Sequence, residues 1–240
     1  MGELFTRASD QRQYDRDDVE WSAERISFAS PTSVHFWEYL SSCSPSWLGK
    51  DLVDIGSGSG WLLDQAKQAG ARHVVGIEPS RKNVELARRQ YPHITTVLAS
   101  LEEYSPSQNF DIAVAVMSLV HIGDLQEAFK KTHNLLNPRG EFQAIVPDFD
   151  YFRRPRHDYE VSFEDIDADE YVTMVKRPFG TLADIVRSID RYRAVGNETG
   201  LRLVEDVPMP PTEKLMQTVP RYRGSAGKPM THLLRFIVEK

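Results

Sequence analysis

Residues 53 to 60 read Val-Asp-Ile-Gly-Ser-Gly-Ser-Gly, and the next apolar run, Val74-Val75-Gly76-Ile77, closes on Glu78. Few folds accommodate that pairing. Leu52, Val53 and Ile55 suit a buried strand, Gly56, Gly58 and Gly60 permit a tight turn with close backbone approach, and Leu62, Leu63 and Ala66 open a helix behind it. A nucleotide-containing ligand needs backbone amides bare of side chains and an acid that accepts hydrogen bonds from ribose hydroxyls. Glu78 is placed to be that acid. Two structural alternatives stand beside this reading: Glu78, just before Pro79 and Ser80, can serve only the dipole of the next helix, and Asp54 can simply cap the turn.

The glycine spacing narrows the ligand. The dinucleotide fingerprint is Gly-x-Gly-x-x-Gly, whereas here the third glycine is Gly60 and Trp61 stands at the fingerprint position, which disfavours a nicotinamide dinucleotide. Asp54 sets a carboxylate near the mouth of the loop, suited to a ligand with an ammonium group rather than a pyrophosphate. S-adenosylmethionine carries such a group.

With these residues the chain resembles the class I S-adenosylmethionine-dependent methyltransferases, whose first motif is an acid followed by x-Gly-x-Gly-x-Gly. The likeness continues through Glu78-Pro79-Ser80, through Asn109-Phe110-Asp111-Ile112-Ala113-Val114 with Met117-Ser118-Leu119-Val120-His121, and through Leu135-Leu136-Asn137-Pro138-Arg139-Gly140-Glu141-Phe142. It spans residues 50 to 147. Two departures are visible: Arg139-Gly140 stands where the family often has two glycines, and Ser100 where many members carry an aspartate near the adenine. The resemblance implies an α/β fold, a Rossmann-like seven-stranded mixed sheet with helices on both faces, its last strand antiparallel, and an N-terminal helical lid. It also implies S-adenosylmethionine as cofactor, lying across Asp54, Gly56, Ser57, Gly58, Gly60, Glu78 and Pro79. Ser100 and Leu101 would edge the adenine, Met117 and Ser118 the methionine side, and Tyr14 and Arg25 would close over from the lid. Leu101 and Met117 can equally be core side chains.

Composition excludes several other classes. A chain of 240 residues can bury one full core, and its single cysteine, Cys43, rules out an internal disulfide and a cysteine zinc cluster. The formal charge of -6 argues against a general nucleic-acid binder, which needs a concentrated basic surface. No His-Glu-x-x-His triplet or similar grouping suggests a metal. The N-terminus leads into charged sequence and no stretch approaches the ~20 apolar residues of a membrane span, so a cytoplasmic location is the expectation.

Helix and strand signals alternate as in a parallel sheet covered on both faces. Strands are predicted at 51–55, 73–78, 94–98, 111–117, 141–146, 201–207 and 232–238, with a helix opening at Pro31 and another running from Asp124 to the stop at Asn137-Pro138. Further helices are predicted over 182–198 and, with an acidic face, over 162–175. The chain reads as one domain, 1–240: an N-terminal lid and helix region at 1–48, a cofactor-binding core at 49–147, an acceptor-side insertion at 148–181, and a C-terminal helix with edge strands at 182–240.

Acceptor recognition is expected from three stretches. These are 5–28 with Tyr14, Trp21 and Arg25; 147–180 with Asp148, Tyr151 and the arginines 153, 154 and 156; and 208–230 with Arg221, Tyr222 and Arg223. Alignment dominates an in-line methyl displacement, so a dedicated base need not exist. His121 is the best single candidate for one, its other role being to pack at the entrance of the next helix; Asp148 and Tyr151 could orient an amine. The expectation is an S-adenosylmethionine-dependent methyltransferase acting on oxygen or nitrogen of a small molecule. An RNA or protein methyltransferase and a non-catalytic cofactor-binding protein are the alternatives.

Overall fold

The structure, a computed structural model, describes residues 2–16, 30–43, 46–154, 160–177, 180–219 and 222–239. Strands β1 (Asp51–Ile55), β2 (His73–Glu78), β3 (Thr95–Leu98), β4 (Phe110–Val116) and β5 (Leu136–Pro147) build one half of a seven-stranded sheet. Strands β9 (Leu201–Met209) and β10 (Thr231–Val238) complete it, in the order β3-β2-β1-β4-β5-β10-β9. Only β10 runs against its neighbours, pairing antiparallel with β5 and β9. The order turns back at β1, beside β4, and a crevice forms there beyond the strand ends.

The burial pattern of each strand explains the layers. All five residues of β1 are buried, as a strand covered on both faces requires. Val53 and Ile55 point into a core that Leu125, Ala128 and Phe129 of α5 (Leu125–Leu135) and Tyr192 of α6 (Ile189–Thr199) close. Leu52 faces the opposite core, covered by Leu40 of α2 (Pro31–Cys43) and by Leu62, Leu63 and Ala66 of α3 (Trp61–Gln68). A fourth helix of the core, α4 (Arg81–Gln90), follows β2 and is capped by Ser80, whose hydroxyl accepts from Asn83 N. Asp124 caps α5 in the same way, and α6 ends on Gly200 in the left-handed conformation.

Two expectations fail in the insertion. Residues 162–175 are not a helix: β6 (Glu160–Asp165) and β7 (Glu170–Arg177) form an antiparallel hairpin, extended by β8 (Gly180–Arg187) into a separate three-stranded sheet. The helix predicted over 182–198 begins only at Ile189, because Leu182 to Arg187 belong to β8 and Ser188 caps the helix through Arg191 N. The physical reason is a period of two. Tyr171 and Val186 turn to an aromatic cluster with Tyr151, Phe152 and Tyr222, while Val172, Ala183 and Ile185 turn to Ala8 of α1 (Glu3–Ala8). Both faces are covered, so the acids of β6 sit on an edge strand rather than on a helix face. The boundary expected between 181 and 182 falls inside β8.

One ion cluster ties the C-terminal end of β5 to β9 and the start of β10. His232 Nε2 lies 3.1 Å from Asp148 Oδ2 and its Nδ1 2.7 Å from Asp206 Oδ1. Burial works against the charged ring, but hydrogen bonds to both carboxylates outweigh it and push the His232 pKa up to about 9 from an ordinary 6.5. A raised pKa stabilises the fold fully below the unfolded value, and that contribution is lost as pH rises through the folded one. We expect His232→Gln to cost about 2 kcal/mol, or about 4 to 8 °C in Tm, near neutral pH. The gap between wild type and variant should close as pH passes about 9 in thermal denaturation series.

Candidate functional site

The turn after β1 is held open by its own geometry. Gly56, Gly58 and Gly60 all have positive φ, at 73°, 54° and 81°. Gly56 N and Ser57 N donate to Ile77 O at 2.8 and 3.0 Å, which docks the turn on β2. The two flanking glycines have different reasons to be small. A Cβ on Gly56 would stand 2.4 Å from Ser118 Cβ, whereas one on Gly58 would meet nothing within 4 Å and would project into open space.

Glu78 organises the opposite wall. Its carboxylate accepts from Gly58 N at 2.8 Å, from Ser80 N at 2.9 Å and from Asn83 Nδ2 at 3.3 Å, and it is only 4% exposed. Burial raises its pKa and these donors oppose the rise. A carboxylate offers about four lone-pair sites, so one on Oε2 remains for a hydroxyl. Asp54, 2% exposed and without a side-chain hydrogen bond among the described residues, is pushed up to about 8 by burial and by the charge of Glu78.

The crevice is lined by Ile55, Gly56, Gly58, Ile77, Glu78, Pro79, Asn83, Leu101, Val116, Met117, Ser118, His121 and Ile122, with Gln11 and Tyr14 reaching in from the N-terminal segment. Of the residues singled out in the sequence, Tyr14, Gly56, Gly58, Glu78, Pro79, Leu101, Met117, Ser118 and His121 therefore meet in one place. Asp54, next in sequence to the lining residue Ile55, is not itself among those residues; Ser57 packs against Gly76, and Gly60 precedes the first residue of α3. Ser100 is engaged with Glu103, its amide donating to Glu103 Oε2 at 2.9 Å and its hydroxyl accepting from Glu103 N at 3.3 Å. Arg25 and Trp21 lie outside the described residues, as do residues 156, 157 and 221.

Asp148 and Tyr151 do not line the crevice. Asp148 Oδ1 accepts from Tyr151 N at 2.7 Å and Oδ2 faces His232, so both oxygens are used at the end of β5. Tyr151 is buried in the aromatic cluster. Arg153 stacks on Phe149, Tyr171 and Phe163 and pairs with Asp165 at 2.7 Å. Arg187 is fully buried and donates to Leu119 O, Ile122 O and Gly123 O as well as Glu170, which fixes the 3-10 turn Leu119–His121 that carries His121.

Met117 is a further constrained point: it has a φ of 55°, left-handed for a residue with a side chain, and donates to Ile145 O at 2.9 Å. Such a conformation costs about 1 to 3 kcal/mol and persists only where its surroundings impose it.

Sequence reading missed Gln11, Gln13, Asp15 and Asn83. Asp15 accepts from Ser80 Oγ, Arg81 N and Lys82 N, at 2.7, 2.9 and 3.1 Å, and so clamps the N-terminal segment onto the start of α4. Arg12 pairs with Glu103 and Gln11 with Glu102, which lays the same segment over the loop after β3. Asn83 had a local signal, as the third residue of a helix that begins directly after Ser80; the other three had none.

Residues 52–140 match the family model described as a methyltransferase domain. Among curated relatives, the ubiquinone biosynthesis O-methyltransferase of Rhodopseudomonas palustris is 28% identical over 120 residues, 48% of this chain and 47% of that protein. The chain thus spans about half the length of the curated relatives it matches. Among solved structures, a S-adenosylmethionine-dependent methyltransferase from Mesorhizobium loti superposes with a TM-score of 0.68 at 22% identity, covering 87% of this chain and 100% of the other. The glycopeptide N-methyltransferase MtfA complexed with S-adenosylmethionine gives 0.63 at 14% identity, over 89% and 96%. These two likenesses concern the fold. Sheet order, the glycine turn and the family match together define a methyltransferase domain. Residues 52–140 are thus a methyltransferase domain that resembles the class I S-adenosylmethionine-dependent type.

The contrast between Gly56 and Gly58 is testable. We expect Gly58→Ala to fold with a loss of about 1 kcal/mol, from its positive φ alone, yet to lose S-adenosylmethionine binding. Gly56→Ala should melt lower still, because its Cβ collides with Ser118. Melting curves and calorimetric titration of both variants check the pair, and full cofactor affinity in Gly58→Ala would contradict the assignment of the turn.

Proposed function

We propose that this chain is an S-adenosylmethionine-dependent methyltransferase that methylates oxygen or nitrogen of a small-molecule acceptor. The observation that carries this reading is the crevice at the ends of β1 and β2, where the open Gly58 backbone faces a buried, partly spent Glu78 carboxylate. The residues fit the cofactor. Glu78 would accept from ribose hydroxyls, Leu101 would edge the adenine, Met117 and Ser118 would flank the methionine chain, and Asp54 would answer its ammonium group. When bound, the cofactor supplies an electrophilic methyl on a sulfonium; the acceptor's lone pair forms the new bond and the carbon–sulfur pair returns to sulfur. Among the described residues no helix is long and apolar enough to cross a membrane. A cytoplasmic setting is part of the proposal.

A small acceptor is favoured by the cover over the crevice. Gln11 and Tyr14 line the crevice from the N-terminal segment, and Arg187 of β8 braces the turn that carries His121. The O-methyltransferase named among the relatives supports the same class of acceptor. Nothing in the chain's acidic balance favours RNA. The domain division proposed is one unit, with residues 160–187 as the acceptor-side sheet.

Two measurements test this. Purified protein incubated with methyl-labelled S-adenosylmethionine and fractionated cell extract should pass label to small metabolites; label in RNA or protein, or none at all with tight cofactor binding, would overturn the acceptor class or the activity. The second measurement concerns Asp54. With its pKa near 8 it is protonated in the empty protein at neutral pH, and an arriving ammonium favours the carboxylate, so binding releases a proton. We therefore expect cofactor affinity to rise with pH up to about 8 and then level off. Asp54→Asn should remove that slope, and the heat of binding in buffers of different ionisation enthalpy should report the released proton.

A further inference from the structure

His121 has both ring nitrogens in hydrogen bonds with the N-terminal segment: Nδ1 lies 2.8 Å from Gln13 Nε2, and Nε2 lies 2.9 Å from Tyr14 Oη. Which nitrogen holds the proton is settled by a group 170 residues away from Gln13 in sequence. Gln13 is 1% exposed, and its amide is read by the backbone of Ala183 on β8, where Nε2 donates to Ala183 O at 3.1 Å and Oε1 accepts from Ala183 N at 3.1 Å. A flipped amide would set oxygen against oxygen and N–H against N–H, and both bonds would be lost. The amide nitrogen therefore faces His121, and its second hydrogen points at Nδ1.

We propose that Gln13 is a positioning residue that fixes His121 in the tautomer with its proton on Nε2. Nδ1 then accepts from Gln13, Nε2–H donates to Tyr14, and the Tyr14 hydroxyl proton is turned toward another acceptor. Tyr14 and His121 both line the crevice, so the hydrogen bond between them forms part of its wall. Asp184 Oδ1 stands 3.8 Å from Nδ1, beyond hydrogen-bond reach, and does not displace the amide. The consequence for chemistry rests on the proposed methyl transfer: a ring already protonated at Nε2 cannot take the acceptor's proton through Tyr14. The pair orients the acceptor, which enters with its lone pair already exposed, as a neutral amine or an ionised hydroxyl.

The tautomer can be measured without any turnover. In the full chain with 15N-labelled histidine, the His121 ring nitrogens should show Nδ1 in the pyridine-like range and Nε2 in the pyrrole-like range with a directly bonded proton. A proton on Nδ1 in the wild type would overturn the proposal. In Gln13→Glu the donor facing Nδ1 becomes an acceptor, and the proton should move to Nδ1; an unmoved proton in that folded variant would overturn the proposal as well. Should Gln13→Glu fail to fold, the wild-type spectrum decides alone. A wild type that shows the Nε2 proton but methylates nothing would reject the proposed activity and leave the role of Gln13 standing.

Discussion

The Glu78 carboxylate is the junction on which the mouth of the sheet depends. It binds the amide of Gly58 in the turn after β1, the amide of Ser80 at the start of α4, and the side chain of Asn83 one turn on. A buried carboxylate without such donors would be costly, so the acid and the turn require each other. Gly76 belongs to the same constraint: a Cβ there would lie 2.4 Å from Ser57 Oγ and would wedge the turn off β2. Burial first, and the nearby charge of Glu78 second, push the Asp54 carboxyl up to about 8.

The insertion is fastened to the site by β8. Arg187 leaves the small sheet and donates to three carbonyls around the turn that carries His121, while Glu170 on β7 balances its charge. Removing one partner of so buried a cation strands the rest, which makes this link rigid rather than adjustable. Ala183, four residues earlier on the same strand, grips Gln13. Asp15 grips the opposite flank, at α4. Three parts of the chain distant in sequence thus converge on one imidazole.

The core of the fold was legible because its signals are local. The bounds of β1 and β2 and the start of α2 are set by apolar runs, glycines and a proline at the first helical position. The insertion was not, because alternate residues of β7 and β8 face two different partners and the apolar count resembles a helix stripe when only one face is considered. At Ser188 the capping signal was present, but Leu182 and Ile185 share helical spacing with Ile189 and Tyr192 and masked the boundary. Gly56, Gly58 and Glu78 could be singled out because backbone requirements select the residue type. Gln13 and Asp15 could not, since the contacts of Gln13 lie 108 and 170 residues away in sequence and those of Asp15 about 65.

That distribution fits a reaction governed by alignment. Holding two reactants in line can supply roughly 7 to 11 kcal/mol, whereas a general base typically contributes only about 10² to 10⁴-fold. Alignment demands walls that do not move, and the strained backbone of Met117, the buried Arg187 and the doubly bonded His121 are all ways of removing freedom before any ligand arrives. Each is stabilised by neighbours outside the crevice. A chain under selection for a single proton-transferring group would need only that group placed well; this one immobilises an entire lining, and the ordering entropy is met during folding rather than at the moment of binding.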